Sequence, residues 1–209
     1  MKRVDANHKS LVVDILIKSF DDNKSVNYVV KQDGNRYGRI RGLMDYSFNV
    51  CNAFGDVWMS DDDQACALVL YPDKKRLTLS AIMWDAKLAL SVIGLTRVGQ
   101  VLSRESKIKS FHPKEPFSYL WFIGVSPELQ NKGRGSQLLE EIIRESDGSG
   151  RSIYLETSVN RNLPWYKKHG FEVFHSLDLT YKLYMLRREG NNVDRTVKVK
   201  EFDQVKNDQ

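Results

Sequence analysis

The sequence of 209 residues contains little cysteine and no long apolar run. Its two cysteines, Cys51 and Cys66, form no C-x-x-C pair and are too few for a disulfide framework or a thiolate metal site, so both are expected in the core. The apolar runs, such as Ala65–Tyr71, are far shorter than the ~20 residues of a membrane-spanning helix. Asp14 interrupts the apolar stretch Leu11–Ile17, so no signal peptide is expected, and the cytoplasm is the expected location.

Motifs of several common enzyme classes are also missing. There is no G-x-S-x-G motif and no G-x-x-x-x-G-K-[ST] phosphate loop, and the third glycine of a dinucleotide loop would fall on Leu138. Three successive carboxylates at 61–63 cannot easily converge on one cation, so a solvated hairpin turn is expected there. The four histidines share no metal-ligand spacing, so no metal is expected, and surface or turn positions are expected for His8, His112, His169 and His175.

The composition is that of a moderately basic globular chain. Apolar residues make up 41% and charged residues 28% of it, and at ~100–200 residues per domain the length allows one large domain or two small ones. No linker divides the chain, which favours one domain. The net charge of +5 is compatible with an anionic partner or with a solvated Lys/Arg surface.

The first 110 residues are mostly helical in their apolar spacing. Asn7–Phe20 is predicted as a helix capped by Asn7 or Ser10, and Ser25–Gln32 fits either a short strand or a helix. Two short apolar segments around the acidic turn predict a β-hairpin. Two further helical regions are predicted over Gly34–Phe54 and Leu77–Lys109. Gly94 and Gly99 are possible breaks in the second region, which is therefore either one helix or two.

The pattern from residue 118 onward alternates strands and helices, which is an α/β signature. Ser118–Val125 is predicted as a central strand buried on both faces, and residues 190–209 as a loose polar tail. The remaining predicted elements are a helix over Gly135–Ser146, a strand over Ile153–Thr157, a helix over Leu163–His169, and strands over Phe171–Phe174 and Thr180–Arg187.

The segment Gln130–Ser136 has the properties of an anion-binding loop. It opens the predicted helix Gly135–Ser146, and a helix N-terminus presents about four unpaired N–H groups and ~+0.5 of partial charge. Gly133 and Gly135 let an anion approach those groups closely, and two cationic side chains alternate with them. A diphosphate is the expected guest.

Two motifs in this part of the chain resemble those of the GNAT acetyltransferase superfamily. Gln130-x-x-Gly133-x-Gly135, after an apolar strand ending in Gly124-Val125, is similar to the acetyl-CoA loop of that superfamily. Downstream, Leu155–Ser158 and Asn162–Phe171 resemble its next strand, short helix and terminal Gly-Phe. The resemblance extends upstream to about His112, whereas residues 1–110 carry no recognised motif.

The resemblance implies a mixed α/β fold with flanking helices and a helical insertion before the cofactor-binding strand. It implies a single domain over residues 1–189, with 1–110 on the acceptor side and 111–189 as the acetyl-CoA-binding core. Acetyl-CoA is the implied co-substrate, with Ile123, Gly124 and Val125 holding its pantetheine arm. The pyrophosphate is implied to lie on Gln130, Asn131, Lys132, Gly133, Arg134, Gly135 and Ser136.

The implied reaction is acetyl transfer to an amine by direct attack in a ternary complex. Tyr166 matches the tyrosine that protonates or contacts the departing thiolate in the family. Val159 stands where many members have a cofactor-contacting asparagine, and Asn162 is a candidate for that contact, for capping the following helix, or for both. Glu156 is the candidate general base, with a purely structural carboxylate as the alternative.

The acceptor cannot be identified from these motifs. A small-molecule amine is expected because the helical insertion is predicted to cover the acceptor site, and neither a membrane nor nucleic acid is an expected partner. The alternative is a non-catalytic GNAT-fold module that binds nucleic acid or protein through the basic regions 31–41 and 97–114. The oligomeric state is not predicted.

Overall fold

The computed structural model describes residues 1–130 and 132–190, and its centre is a seven-stranded mixed sheet in the order β1-β2-β3-β4-β5-β7-β6. Only β4 and β5 pair in parallel, whereas every other neighbouring pair is antiparallel. This agrees with the expected mixed sheet. The strands are β1 Lys2–Arg3, β2 Gly55–Met59, β3 Ala65–Leu70, β4 Phe117–Val125, β5 Ser152–Thr157, β6 Glu172–Asp178 and β7 Lys182–Arg188.

Helices cover both faces of the sheet. The helices are α1 Lys9–Phe20, α2 Lys24–Val29, α3 Arg36–Phe54, α4 Leu79–Lys87, α5 Val98–Lys109, α6 Arg134–Gly148 and α7 Leu163–Lys168. The helices α1 and α3 pack on one face through apolar side chains such as Leu16 and Met44, and α6 packs on the other through Leu138, Leu139 and Ile142. Cys51 and Cys66 are fully buried in the first of these cores, as predicted.

Two short polar segments determine where the first helices begin. The predicted cap of the first helix is wrong, because the Asp5 side chain accepts from the Asn7 N–H and caps a short 3-10 turn, Ala6–His8, that precedes α1. The ambiguous segment 25–32 is helical as far as Val29, since Asn23 caps α2 by accepting from the backbone N–H groups of Ser25 and Val26.

The helical insertion between β3 and β4 is bent rather than continuous. A π-helical segment, Leu88–Ile93, follows α4, and the chain breaks at Gly94, while the other candidate, Gly99, lies inside α5. Over the two described ranges, no single helix is long and apolar enough to span a membrane. The two halves of the insertion, Leu79–Ile93 and Leu95–Lys109, reach that length and apolarity only together, and they are bent 97° apart.

The central strand β4 departs from its predicted burial on both faces. The β3–β4 register shifts between Leu68 and Val69, so that Trp121 is the extra residue of a β-bulge. Side chains at Tyr119, Trp121, Ile123 and Val125 are only partly buried. The prediction is wrong because the bulge bends β4 away from its neighbour and leaves part of its surface without a covering element.

Candidate active site

The site lies where β4 and β5 separate. The two parallel strands pair at only three positions, Phe117↔Ser152, Ser118↔Ile153 and Tyr119↔Tyr154, within the described part of the chain. Beyond Tyr119, the bulge turns β4 away, whereas β5 continues to pair with β7. The result is a wedge-shaped opening in the middle of the sheet whose walls include backbone groups of both strands.

A cleft of about 1450 Å³ occupies this opening. It collects most of the residues that sequence reasoning assigned to the cofactor and to catalysis, although these come from four separate stretches of chain. The assigned residues that line it are Ile123, Gly124, Val125, Gln130, Gly133, Gly135, Ser136, Glu156, Asn162 and Tyr166.

The N-terminus of α6 opens onto this cleft. Gly133 precedes the helix with φ of 80°, a left-handed conformation that favours glycine, and within residues 1–130 and 132–190 no side chain caps the helix. Among these residues, the first-turn N–H groups of α6 therefore have no side-chain acceptor, and such groups bind anions. A Cβ at Gly135 would lie 3.5 Å from Val125 Cγ2 and 3.7 Å from Trp165 Cζ2, so a larger side chain would extend into this space.

The charged residues of the loop are arranged differently from the expectation. Arg134 forms a 2.8 Å ion pair with Asp62 of the β2–β3 turn, and neither Arg134 nor Lys132 lines the cleft. The acidic turn is thus more than the solvated turn expected, because Asp63 also pairs with Lys2 at 2.9 Å. Asn131, which was assigned to the same loop, lies outside the described residues, as do residues 191–209 of the predicted tail.

Tyr166 is held at the far wall of the cleft by α7. Its ring lies 4.6 Å from that of Trp165 and 5.6 Å from that of Phe171, measured between centroids, and the residue is 5% exposed. Trp165 in turn donates from Nε1 to Ser136 Oγ at 2.9 Å, which ties α7 to the start of α6. Burial raises the pKa of the Tyr166 phenol, so the phenol stays protonated at neutral pH.

Asn162 lines the cleft but does not cap α7. Its backbone has helical angles, and its side chain makes no capping hydrogen bond, so the predicted capping role is wrong. A 3-10 turn, Asn160–Asn162, precedes α7, so the chain enters this helix from a turn and not from the extended conformation of a typical cap residue. The side chain is left on the cleft wall.

Glu156 is the acidic centre of a buried polar cluster. Its Oε1 lies 3.0 Å from His112 Nε2, and its Oε2 accepts from the Tyr119 hydroxyl. The Glu156 side chain is 8% exposed and the His112 side chain 12%. Burial and the neighbouring Glu156 carboxylate raise the pKa of Tyr119, so this phenol acts as a donor to the carboxylate.

His112 is the residue that sequence reasoning missed. It was expected at a surface or turn position, yet its ring packs edge-on or tilted against Phe117, Tyr119 and Tyr154 and lines the cleft. Its partner Glu156 is 44 residues away in sequence, and the parallel β4–β5 pairing brings the two together. The available signals were its position five residues before the central strand and its place at the upstream end of the family resemblance.

Most arginines of the two basic regions are engaged within the molecule. Arg39 forms a 2.6 Å ion pair with Asp33 and holds the pKa of that carboxyl far below its usual range. Arg104 is buried and donates to the Tyr181 hydroxyl and to Ser25 Oγ. The other engaged arginines bond to carboxylates or backbone carbonyls and are Arg36, Arg41 and Arg97. Across residues 1–130 and 132–190, no cluster of His, Cys, Asp or Glu could hold a metal ion.

Comparison with solved structures identifies the same fold in several acetyltransferases. A histone acetyltransferase HPA2 and related acetyltransferase from Corynebacterium glutamicum superposes with a TM-score of 0.63 at 20% identity over 92% of this chain and 97% of its own. Arylalkylamine N-acetyltransferase 2 from Aedes aegypti gives a TM-score of 0.59 at 14% identity over 91% and 98%. The C-terminal condensation domain of Ebony gives 0.67 at 10% identity over 90% and 97%.

Sequence comparison points the same way. An uncharacterized N-acetyltransferase of Schizosaccharomyces pombe is 42% identical over 62 residues, which are 30% of this chain and only 25% of that relative. A family model described as an acetyltransferase (GNAT) domain matches residues 92–173, which contain α5, the central strand, the loop and α7. With the shared fold, these matches agree with the resemblance to the GNAT acetyltransferase superfamily, which the family model supports for residues 92–173.

Proposed function

We propose that this protein is an N-acetyltransferase that moves the acetyl group of acetyl-CoA to the amine of a small molecule by direct attack in a ternary complex. One observation carries the proposal. The uncapped N-terminus of α6, the separated edges of β4 and β5, Tyr166 and Glu156 all face one cleft. This arrangement would provide an anion site, backbone hydrogen-bonding edges, a proton donor and a proton acceptor around one cleft.

The loop and the strand edge fit the co-substrate. The first-turn N–H groups of α6 would hold the pyrophosphate, because Gly133 and Gly135 leave them uncovered. Ile123, Gly124 and Val125 would hold the pantetheine arm through their backbone. A Cβ at Gly124 would lie only 3.0 Å from Ser19 Oγ, so glycine allows α1 to approach this strand and support it from behind.

Proton transfer would be divided between the two walls of the cleft. Glu156 would accept a proton from the acceptor ammonium, directly or through water, and so free the lone pair of the nitrogen. As the new C–N bond forms and the C–S bond breaks, Tyr166 would donate its proton to the departing sulfur, and the second proton lost by the attacking nitrogen would restore the Tyr166 phenol through water. His112 and Tyr119 would orient the Glu156 carboxylate. Much of the rate would come from positioning both substrates in the wedge.

Tm measurement with and without acetyl-CoA tests the co-substrate assignment. At a hundred-fold excess over Kd, linkage predicts ~2.7 kcal/mol of added stability, which is a Tm increase of several degrees for a chain of this length. CoA should compete for this effect, and release of thiol in the presence of an amine should report turnover. Absence of any shift would contradict the co-substrate assignment and favour the non-catalytic binding module.

A pair of glycine variants at opposite ends of α6 locates the binding site. Gly135→Val should weaken acetyl-CoA binding about ten-fold or more, because its methyl groups would extend into the space beside Val125 and Trp165. Gly148→Val has the same helix-propensity cost but has no atom within 4 Å of its Cβ, so it should leave affinity unchanged. Equal affinities of the two variants would show that the loop does not hold the co-substrate.

A further inference from the structure

The half of the cleft that faces away from α6 has a predominantly apolar lining. Four helical segments, α2, α3, the α4–π segment and α5, contribute aliphatic side chains to it. Representative residues are Val26, Leu43, Leu88, Ile93, Val101 and Leu102. Because this wall comes from residues 26–102, it lies within the part of the chain assigned to the acceptor. A polar or multiply charged acceptor would lose water here without finding partners.

An aromatic panel completes this wall. Tyr46 from α3 and Tyr119 and Trp121 from β4 all line the cleft and are only partly buried. The Trp121 ring lies 6.0 Å from Tyr46, edge to face, and 6.2 Å from Tyr119. Trp121 lies on the same side of the strand as Tyr119, and the β-bulge brings Phe122 to that side as well. Ring faces at such a wall accept flat apolar groups and attract ammonium groups.

The charges in this half favour a single cation beside Glu156 and offer little to an anion. Of the three carboxylates that line the cleft, Asp85 is exposed and accepts from the Tyr46 hydroxyl, Glu105 pairs with Arg104, and Glu156 lies at the buried end. The buried cation Arg104 is already engaged by Glu105, Ser25 and Tyr181. The other cations that line the cleft are exposed, and they are Lys75, Lys109 and Arg161. A substrate carboxylate or phosphate in the apolar half would therefore meet no available buried cation.

We propose that the acceptor is a primary amine carried on an apolar, ring-bearing body without a carboxylate or phosphate group. This inference rests on the proposed acetyltransferase function and specifies its substrate class. The ammonium group enters toward Glu156, where it is deprotonated, and the apolar body lies against Trp121, Tyr46 and the inner side of α5.

Competing amines test this assignment with the full-length protein. Phenethylamine and phenylalanine differ only in the α-carboxylate, and spermidine is a flexible polycation without a ring. We expect kcat/KM for phenethylamine to be at least ten-fold higher than for either of the other two, measured as CoA thiol release and confirmed by mass of the product. An equal or higher value for phenylalanine or spermidine would overturn the inference while leaving the proposed function intact.

Acetyl-CoA binding separates the two possible failures. If acetyl-CoA raises the Tm but phenethylamine is not acetylated, the acceptor assignment is wrong. If acetyl-CoA neither binds nor is consumed with any of the three amines, the proposed function itself is wrong.

Two leucines of the insertion provide a matched pair of variants. Leu102 lines the cleft and is 62% exposed, whereas Leu95 is 70% exposed and does not line it. Leu102→Lys should raise KM for phenethylamine at least three-fold with little change in kcat, because the introduced lysine would repel the ammonium group of the substrate as it enters. Leu95→Lys should leave both parameters unchanged. Equal KM values for the two variants would contradict the placement of the apolar body beside α5.

Discussion

The two halves of the cleft are built in different ways. The half at α6 uses backbone groups from one contiguous loop and one strand edge, and its glycines matter because they remove side chains. The half that faces away from α6, which we propose receives the acceptor, uses side chains contributed by α2, α3, α4 and α5, which come from separate stretches of the chain. A binding site made of backbone groups leaves a short local motif, whereas a site made of scattered side chains leaves none. The recognised motifs accordingly lie outside these four helices, of which only α5 falls within the matched residues 92–173.

The largest expected effect comes from Glu156, where the two halves meet. Glu156→Gln keeps the shape of the side chain and its bonding capacity toward His112 and Tyr119 but removes its ability to accept a proton, so kcat should fall by ~10²-fold or more. Steady-state kinetics with saturating acetyl-CoA measure this. Glu172→Gln, on an exposed residue of β6, is the control and should be unaffected. Nearly normal turnover of Glu156→Gln would identify the carboxylate as structural.

A smaller effect is expected at Tyr166 on the co-substrate side. Tyr166→Phe should lower kcat by about ten-fold or more, because the sulfur loses its proton donor, while the Kd for acetyl-CoA should change little. The comparison variant is Tyr184→Phe, a partly buried tyrosine of β7 that does not line the cleft. Unchanged turnover in Tyr166→Phe would remove this phenol from the mechanism.

The pH dependence sharpens the same point. The unperturbed pKa of tyrosine is ~10, and burial raises the pKa of Tyr166 above that value, so the donor form persists through alkaline pH. From pH 8 to pH 10, we expect kcat of the wild-type protein to follow the same pH profile as kcat of Tyr166→Phe, with no additional decline. A decline confined to the wild-type enzyme would mean that Tyr166 ionises in this range and that the cleft is wetter than its burial indicates.

The smallest expected effect concerns the ion pair between Arg134 and Asp62. Asp62→Asn frees Arg134 to reach the pyrophosphate, and exposed ion pairs contribute only about 0–1 kcal/mol, so acetyl-CoA affinity should rise by no more than ~5-fold. Titration calorimetry at low and high salt would measure the change. A loss of affinity would show instead that the ion pair holds the loop in its binding conformation.

Features of the fold that depend on local sequence patterns could be predicted, whereas contacts between residues far apart in sequence could not. The β2–β3 hairpin, the helix α6 and the strands after it were correctly predicted because their periodicity and turn residues are local. The anion loop could be found because Gly133 and Gly135 are close in sequence. The pairing of His112 with Glu156 could not be predicted, since it depends on the register of two parallel strands.

Two further differences have the same physical origin. Arg134 was expected to face a phosphate, but the hairpin turn places Asp62 within 2.8 Å of it, and no local pattern encodes that proximity. Burial of Ser118–Val125 on both faces was inferred from a continuous apolar run, which is equally compatible with one wall of a cleft. The assignment of residues 1–189 to one domain stays a prediction.

The extra residue at Trp121 has a consequence for how this chain tolerates change in length. Strand side chains alternate, so the bulge reverses the parity of every position after it: Phe122 and Gly124 face α1, and Ile123 and Val125 face α6 and α7. Deleting Trp121 would restore an unbroken ladder with Gly124 still facing Ser19, but it would remove the bend that separates β4 from β5 and so close the opening between them. The opening between the strands thus depends on the number of residues in β4, so a one-residue deletion in this strand should disrupt the cleft more than most substitutions.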